Sequence, residues 1–149
     1  MKIYIGADHR GFELKDKLEV FLLKRDYLVE DVGALTYDED DDFAKYAVAA
    51  ALKTIGSSGD DPRAILMCGG GQGMAMAANK IRGIRAVVVS TTEDAKLSRK
   101  DNDANVLCLS ANQLDESDDW QEIVEIWLKT PFDGDERFVR RNNQLDQLS

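Results

Sequence analysis

Short apolar runs alternate along this chain with segments in which apolar residues recur every three or four positions, and this alternation constrains the fold most strongly. The first run is Ile3-Tyr4-Ile5, and the run Ala64-Ile65-Leu66-Met67 predicts a strand that is buried on both faces. The clearest helical stripe comprises Trp120, Ile123, Val124, Trp127 and Leu128. Strands that alternate with helices predict a parallel sheet covered by helices on both faces.

We therefore predict a single α/β domain over residues 1–149, with a three-layer, Rossmann-like architecture. Its five parallel strands are expected in the order 2-1-3-4-5, with the fourth over Ile84 to Val89 and the fifth over Val106 to Leu109. A final helix over about 136–148 has few apolar positions. It either packs on a partner subunit or forms a loosely attached tail.

The formal net charge of −9 excludes some classes of partner. Binding to a nucleic acid or to an anionic membrane surface requires a basic face on the protein. The acidic composition of this chain argues against such a face. No apolar segment approaches the roughly 20 residues of a membrane span, and the N-terminal apolar run is too short for a signal peptide. The two cysteines show no disulfide pattern, so we expect a cytoplasmic protein.

Two loops that follow predicted strands carry most of the polar chemistry. Asp8-His9-Arg10-Gly11 follows the first strand, and Cys68 with the glycine-rich stretch up to Gly73 follows the third. In an open α/β sheet, ligands bind beyond the carboxyl ends of the strands, where the strand order reverses. We expect both loops to face one crevice at that point.

The second loop is the more informative one. The segment Gly69-Gly70-Gly71-Gln72-Gly73 leaves backbone N–H groups free to point at an anion, and a helix follows at once. The same loop could instead be a tight strand-to-helix turn without a ligand. It matches neither a P-loop, because no Gly-Lys-Ser/Thr follows, nor a dinucleotide fingerprint, because it does not leave the first strand.

Cys68 lies at the strand end before this loop, where N–H groups and the helix dipole favour a thiolate. Such a thiolate can remove a proton from a carbon beside a carbonyl. The alternative is a buried cysteine that merely ends the strand, and we assign that structural role to Cys108.

His9 is the single histidine of the chain, and its polar neighbours favour a functional role. The arginines at 137, 140 and 141 form either a solvated helix face or a phosphate-binding cluster. The acidic run from Asp38 to Asp42 is interpreted as a solvated loop. Since the chain has one histidine and two distant cysteines, we expect neither a zinc-type metal site nor acyl-transfer chemistry.

Several blocks of this sequence together resemble one known family. They are Gly6-Ala7-Asp8-His9-Arg10-Gly11-Phe12-Glu13-Leu14-Lys15, Asp31-Val32-Gly33, Cys68-Gly69 with Gly71 and Gly73-Met74, Ala77-Ala78-Asn79-Lys80, Gly83-Ile84-Arg85-Ala86, and Asn102-Asp103-Ala104-Asn105-Val106-Leu107-Cys108-Leu109. In order and spacing they are similar to the ribose-5-phosphate isomerase B family, which includes the galactose-6-phosphate isomerase subunits. The resemblance extends from the first strand to about Arg141.

The resemblance implies an aldose–ketose isomerase for sugar phosphates that works through an enediolate, without a metal or organic cofactor. It implies a homodimer or a dimer of dimers, with each site built from two subunits. By resemblance, Cys68 is the base, residues 69–73 form the anion hole, and the remaining contacts bind the substrate. Those contacts are Asp8 and Asn102 for sugar hydroxyls, Tyr46 for the pocket wall, and His9, Arg137 and Arg141 for the phosphate, with Arg10 beside them.

Four positions depart from the family pattern. Asp101 stands where the family has a ring-opening histidine, so it can accept a proton from the anomeric hydroxyl but cannot readily donate one. Gly70 replaces a threonine or serine, Asn112 replaces an arginine, and Phe138 replaces a histidine. These departures leave two alternatives open: an isomerase for a linear or non-pentose sugar phosphate, and a non-catalytic subunit that binds sugar phosphates.

Overall fold

The computed structural model describes residues 1–114 and 116–148. The strands are β1 (Lys2–Ala7), β2 (Leu28–Asp31), β3 (Arg63–Cys68), β4 (Ala86–Val88) and β5 (Val106–Ser110). The helices are α1 (Phe12–Leu23), α2 (Phe43–Gly56), α3 (Gln72–Ala78), α4 (Thr92–Asn102), α5 (Ala111–Leu114), α6 (Asp119–Lys129) and α7 (Glu136–Gln147). A 3-10 turn, His9–Gly11, precedes α1.

All strand pairs are parallel, and the order is β2-β1-β3-β5-β4. The predicted class is confirmed, but the predicted order of the last two strands is wrong. Every residue of β5 is buried, so β5 fits between two neighbours. β4 has three residues and leaves Val88 exposed, which suits an edge. The strand is also shorter than predicted, since Ile84 lies before it.

The core lies on both faces of the sheet, and β1 shows how. Ile3 and Ile5 face a cluster completed by α1, α4, α5 and α6, whereas Tyr4 faces a cluster completed by α2 and α3. The alternation along one strand sends neighbouring side chains to opposite layers. All five residues of the predicted stripe on α6 are buried in the first cluster, and the predicted strand 64–67 lies wholly within the buried β3.

The last helix is attached mainly through polar contacts. Asn142 is the only buried residue of α7, and Leu145 remains half-exposed. Arg85 binds Asp146 through two hydrogen bonds, of 2.8 and 3.0 Å, and the backbone N–H of Asp133, just before α7, donates to the carbonyl of Lys100. Among the described helices, none has the length and apolar character needed to cross a lipid bilayer.

Candidate active site

The two functional loops meet because β1 and β3 are neighbours and end side by side. Ala7 pairs with Met67 in the sheet, so the residues that follow each strand emerge at the same edge. A Cβ on Gly11 would lie 2.6 Å from the carbonyl oxygen of Met67, a separation that only glycine allows. The 3-10 turn therefore packs directly on the end of β3. The two loops lie at one edge of the sheet, as expected from the sequence.

Asp8 organises the first loop. Its Oδ1 accepts hydrogen bonds from the backbone N–H groups of Arg10 at 2.9 Å and Gly11 at 3.3 Å, which fixes the turn. The residue is buried, and this burial raises the pKa of Asp8, although the two N–H donors counteract the shift. The carboxylate thus acts as a rigid acceptor at the edge of the crevice.

His9 is held at two atoms by one carboxylate. Its Nδ1 lies 2.8 Å from Oδ1 of Asp41, and its backbone N–H donates to the same oxygen at 3.0 Å. The hydrogen bond to Asp41 raises the pKa of His9 above that of a free histidine. The imidazole consequently retains its positive charge to a higher pH, which suits a group that binds an anion.

Asp41 belongs to the acidic run that was predicted to be a solvated loop, and for this residue the prediction is wrong. Asp38, Glu39, Asp40 and Asp42 are exposed as predicted, but the side chain of Asp41 is fully shielded from solvent. Burial tends to raise its pKa, yet hydrogen bonds from His9 and Tyr46 outweigh that effect and lower it. No periodicity distinguishes this aspartate from its neighbours, so sequence reasoning could not find it.

Tyr46 belongs to this network as a supporting residue. Its hydroxyl donates to Oδ2 of Asp41 at 3.2 Å, and its ring lies 3.0 Å from the position that a Cβ on Gly33 would occupy. The predicted pocket residue therefore acts through Asp41 on His9. Phe43, one turn earlier on α2, contacts the glycine loop instead, and sequence analysis did not identify it: its Cζ would lie 2.8 Å from a Cβ on Gly73.

Cys68 ends β3 with its sulfur against the glycine loop. The backbone N–H of Gly71 donates to Sγ at 3.2 Å, and the residue is 6% exposed. Gly71 has a φ of +79°, a conformation that favours glycine, and a Cβ there would lie 3.1 Å from the carbonyl carbon of Leu109. The helix that follows, α3, has only seven residues, and the contact seen at the sulfur is with the N–H of Gly71.

Neighbouring groups contact the glycine loop at two further positions, Gly70 and Gly69. A Cβ on Gly70 would lie 2.8 Å from Oε1 of Gln72, so a side-chain amide occupies the space beside Gly70. The carbonyl of Gly69 accepts from the hydroxyl of Ser110 at 2.8 Å and from the backbone N–H of Asn112 at 3.0 Å. Both hydrogen bonds fix the peptide that begins the glycine loop against the end of β5 and the start of α5.

Four predicted site residues lie at the other end of the sheet. Asp101 and Asn102 end α4, and the carbonyl of Asn102 accepts from Nε of Arg85, which precedes β4. Both ends of the α7 region are tied to the same edge through Lys100 and Arg85, and this helix carries Arg137 and Arg141. Within one chain, these four residues therefore lie at the amino ends of the strands, opposite Cys68.

The cavities follow the same division. A groove of about 550 Å³ lies beside the amino end of β4 and includes Asn102 and Leu145. A cleft of about 430 Å³ opens next to His9 and Arg10, between Phe12 and Tyr37. Neither of these two cavities is lined by Cys68 or by the glycine loop, so cavity volume does not identify the crevice between the two loops.

One cluster of the described residues has donor atoms close enough to hold a cation. Ligand atoms of Asp8, His9 and Asp41 lie within 4.8 Å of one another. These atoms already take part in hydrogen bonds, with Asp8 accepting from two backbone N–H groups and Asp41 accepting from His9 and Tyr46. The hydrogen-bond network is therefore sufficient to explain the cluster.

Comparison with known proteins identifies the family of this chain. Residues 3–145 match the family model described as Ribose/Galactose Isomerase. The chain is 40% identical over 133 residues to ribose-5-phosphate isomerase B of Escherichia coli, which covers 89% of this chain and 87% of that protein. It is 35% identical to the probable ribose-5-phosphate isomerase B of Mycoplasma genitalium, over 98% of this chain and 92% of the relative.

Solved structures agree over almost the whole chain. Ribose-5-phosphate isomerase B of Clostridium thermocellum superposes with a TM-score of 0.92 at 38% identity, covering 99% of this chain and 96% of that one. The Mycoplasma genitalium enzyme with bound ribulose-5-phosphate also gives 0.92, at 36% identity over 98% of this chain and 94% of that one. The chain belongs to the ribose/galactose isomerase family, and it is an isomerase of the aldose–ketose type.

Proposed function

We propose that this chain interconverts ribose 5-phosphate and ribulose 5-phosphate, or a closely related pair of sugar phosphates, through an enediolate. The observation that carries the proposal is the 3.2 Å hydrogen bond from the N–H of Gly71 to Sγ of Cys68, beside a loop that presents His9. A relative of the same fold is described with bound ribulose-5-phosphate. In this proposal the two loops supply a base, an anion cradle and a cation at one edge of the sheet.

The proposed proton transfer requires one base. The thiolate of Cys68 takes the hydrogen from C2 of the open-chain aldose, the C2–H electrons form a C1=C2 double bond, and O1 becomes negatively charged. The thiol then returns that proton to C1 while the proton of O2 passes to O1, which gives the ketose. N–H groups of Gly69, Gly70, Gly71, Gln72 and Gly73 stabilise the developing oxyanion.

The other assigned residues hold the substrate. In this proposal Asp8 accepts hydrogen bonds from sugar hydroxyls, and the His9 imidazolium and the Arg10 guanidinium bind the phosphate. Tyr46 acts indirectly by holding Asp41 against His9. These residues form a site that is incomplete without groups from the opposite end of the sheet.

We propose that a second copy of the chain supplies those groups. In their own chain these groups lie opposite Cys68; they are Asp101, Asn102, Arg137 and Arg141. The last three are exposed, so their side chains are accessible to a sugar phosphate. A homodimer, or a dimer of dimers, would bring them to the cysteine of the neighbouring subunit. Asp101 would accept the proton of the anomeric hydroxyl, and Asn102 would bind a sugar hydroxyl.

Replacing Cys68 tests the proposal. We expect Cys68→Ser to reduce kcat for ribose 5-phosphate by about 10³-fold or more, because the hydroxyl is a far weaker base than the thiolate. Cys108→Ala is the matched control, since Cys108 is a wholly buried strand residue whose thiol pKa is raised by burial. It should keep activity within a few-fold of the parent.

The same assay separates the alternatives. Equal turnover by Cys68→Ser and the parent contradicts the role of the thiolate. Turnover of a four- or six-carbon sugar phosphate in preference to ribose 5-phosphate indicates a different substrate. Thermal stabilisation by sugar phosphates without any turnover indicates a non-catalytic binding subunit.

A further inference from the structure

One side-chain hydrogen bond beside the glycine loop links two residues that are distant in sequence. Nη2 of Arg10 donates to Oδ1 of Asn112 at 3.2 Å, which joins the 3-10 turn to the start of α5. The backbone of Asn112 is itself fixed, because its N–H donates to the carbonyl of Gly69 at 3.0 Å. The side-chain acceptor of Asn112 therefore has a defined position at the first residue of the glycine loop.

Both side chains lie directly against Gly69. A Cβ on Gly69 would be 3.3 Å from Nδ2 of Asn112 and 3.6 Å from Nε of Arg10. The guanidinium thus lies at the beginning of the loop whose third glycine donates to Cys68. A cation at this place faces the same crevice as the Gly71 N–H and His9.

Most of the donors of this guanidinium remain available. A guanidinium carries five N–H donors, and the described contacts of the Arg10 side chain engage one of its nitrogens, with Asn112. Within residues 1–114 and 116–148, no carboxylate forms an ion pair with Arg10. The charge is therefore held by a neutral amide, which orients it without neutralising it.

We propose that Asn112 is a positioning residue that holds the Arg10 guanidinium at Gly69, where it binds the phosphate of the substrate. This inference rests on the proposed function. It adds the pair Arg10 and Asn112 as residues that favour binding of a doubly charged phosphate. An orienting amide limits the rotamers of a long, exposed side chain, so less conformational entropy is lost on binding. The pair should act mainly on KM, since it lies at the anion and not at the carbon that loses its proton.

The test compares the parent with Arg10→Ala, Asn112→Ala and the double variant by calorimetric titration of inorganic phosphate. Arg10→Ala should weaken phosphate binding about 10- to 100-fold, as expected for a charge-assisted hydrogen bond. Asn112→Ala should weaken it about 3- to 10-fold, and the double variant should bind no more weakly than Arg10→Ala. That non-additivity is the signature of a residue that acts through its partner.

A second substitution separates positioning from simple packing. Asn112→Asp keeps the acceptor but pairs the guanidinium with a negative charge, so it should weaken phosphate binding more than Asn112→Ala does. Lys129→Ala is the control, because it removes one positive charge from an exposed position at the end of α6. It should leave phosphate affinity within about twofold of the parent.

The outcomes distinguish this inference from the proposed function. Failure of the parent to isomerise any sugar phosphate defeats the proposed function, whereas the phosphate titrations still decide the role of the pair. The inference is overturned if the parent does not bind phosphate, if Asn112→Ala binds it like the parent, or if the two losses are additive. In an active parent, a fall in kcat for Asn112→Ala with unchanged KM also contradicts it.

Discussion

The two ends of the sheet differ in how their functional groups are held. At the carboxyl ends, Cys68, His9 and Asp41 are fixed by hydrogen bonds within one chain; the side chains of Cys68 and Asp41 are buried, and that of His9 is partly buried. At the amino ends, Arg137 and Arg141 are exposed on a helix that buries one residue. A preorganised half and an open half are expected if, as proposed, the chain contributes each half to a different site.

The difference has a physical cause. The carboxyl ends of parallel strands lie at one edge of the sheet, and glycine at position 11 lets the first loop approach the backbone of β3 directly. α4 then returns the chain to the other end, so its last residues, Asp101 and Asn102, cannot remain near the cysteine. A helix of 11 residues spans roughly 16 Å, which is enough to separate the two sets.

Substitution of Gly11 should damage the preorganised half most. Gly11→Ala places a methyl group against the backbone of Met67, and a main-chain atom cannot move aside as a side chain can. We expect the free energy of unfolding to fall by about 1–3 kcal/mol, with a loss of activity, because the first loop must shift. Denaturant unfolding and a sugar-phosphate assay measure the two effects.

Gly56→Ala is the matched control for that substitution. It adds the same methyl group at the end of α2, where nothing lies within 4 Å of the new Cβ. Its free energy of unfolding should remain equal or rise by up to about 1 kcal/mol. An equal loss in both variants would contradict the importance of the close approach at Gly11.

Asp41→Asn should have a smaller and more specific effect. The substitution removes the negative charge beside His9, so the pKa of His9 should fall toward or below its ordinary value, and the imidazolium should be lost at a lower pH. Because the chain contains a single histidine, an NMR titration of its ring reports this pKa directly. The rise of KM with pH should also begin at a lower pH in the variant.

Tyr46→Phe provides the graded comparison. It removes one hydrogen bond to Asp41 but leaves the carboxylate in place, so the pKa of His9 should change less than in Asp41→Asn. A histidine that titrates identically in the parent and Asp41→Asn would show that this network does not control its charge.

Sequence patterns identified the elements whose burial is periodic. The stripe on α6 and the apolar run 64–67 within β3 were correctly predicted, because both depend on local sequence alone. The order of β4 and β5 was not correctly predicted. It depends on which of the two strands fits better between two neighbouring strands, and that choice involves segments distant in sequence. Long-range pairing leaves no local signal in a single sequence.

The candidate site shows the same limit. Cys68, the glycines and His9 could be proposed from the sequence because a cysteine, a glycine run and a histidine with charged neighbours stand at or just after the ends of predicted strands. Asp41 could not, because its role comes from the approach of two loops that are 32 residues apart. Asn112 was noticed only as a departure from the family pattern, and its contact with Arg10 spans 102 residues.

The central claim is that one working site combines the two ends of the sheet from different copies of the chain. Cys68→Ser and Asn102→Ala damage opposite halves, so Cys68→Ser alone should retain about 0.1% of activity or less and Asn102→Ala alone on the order of 1%. Co-expressed, the two variants should form mixed dimers in which one site is intact and the other carries both substitutions. Random pairing then predicts recovery of about a quarter of the parent activity.

The control is co-expression of Cys68→Ser with Cys68→Ala, which damage the same half and should remain inactive together. Activity of the mixed Cys68→Ser and Asn102→Ala dimers, purified through two different tags, is the deciding measurement. One of the two sites in each purified mixed dimer is intact, so recovery near one half of the parent value supports a site shared between copies. Activity no higher than that of the separate variants would contradict the account.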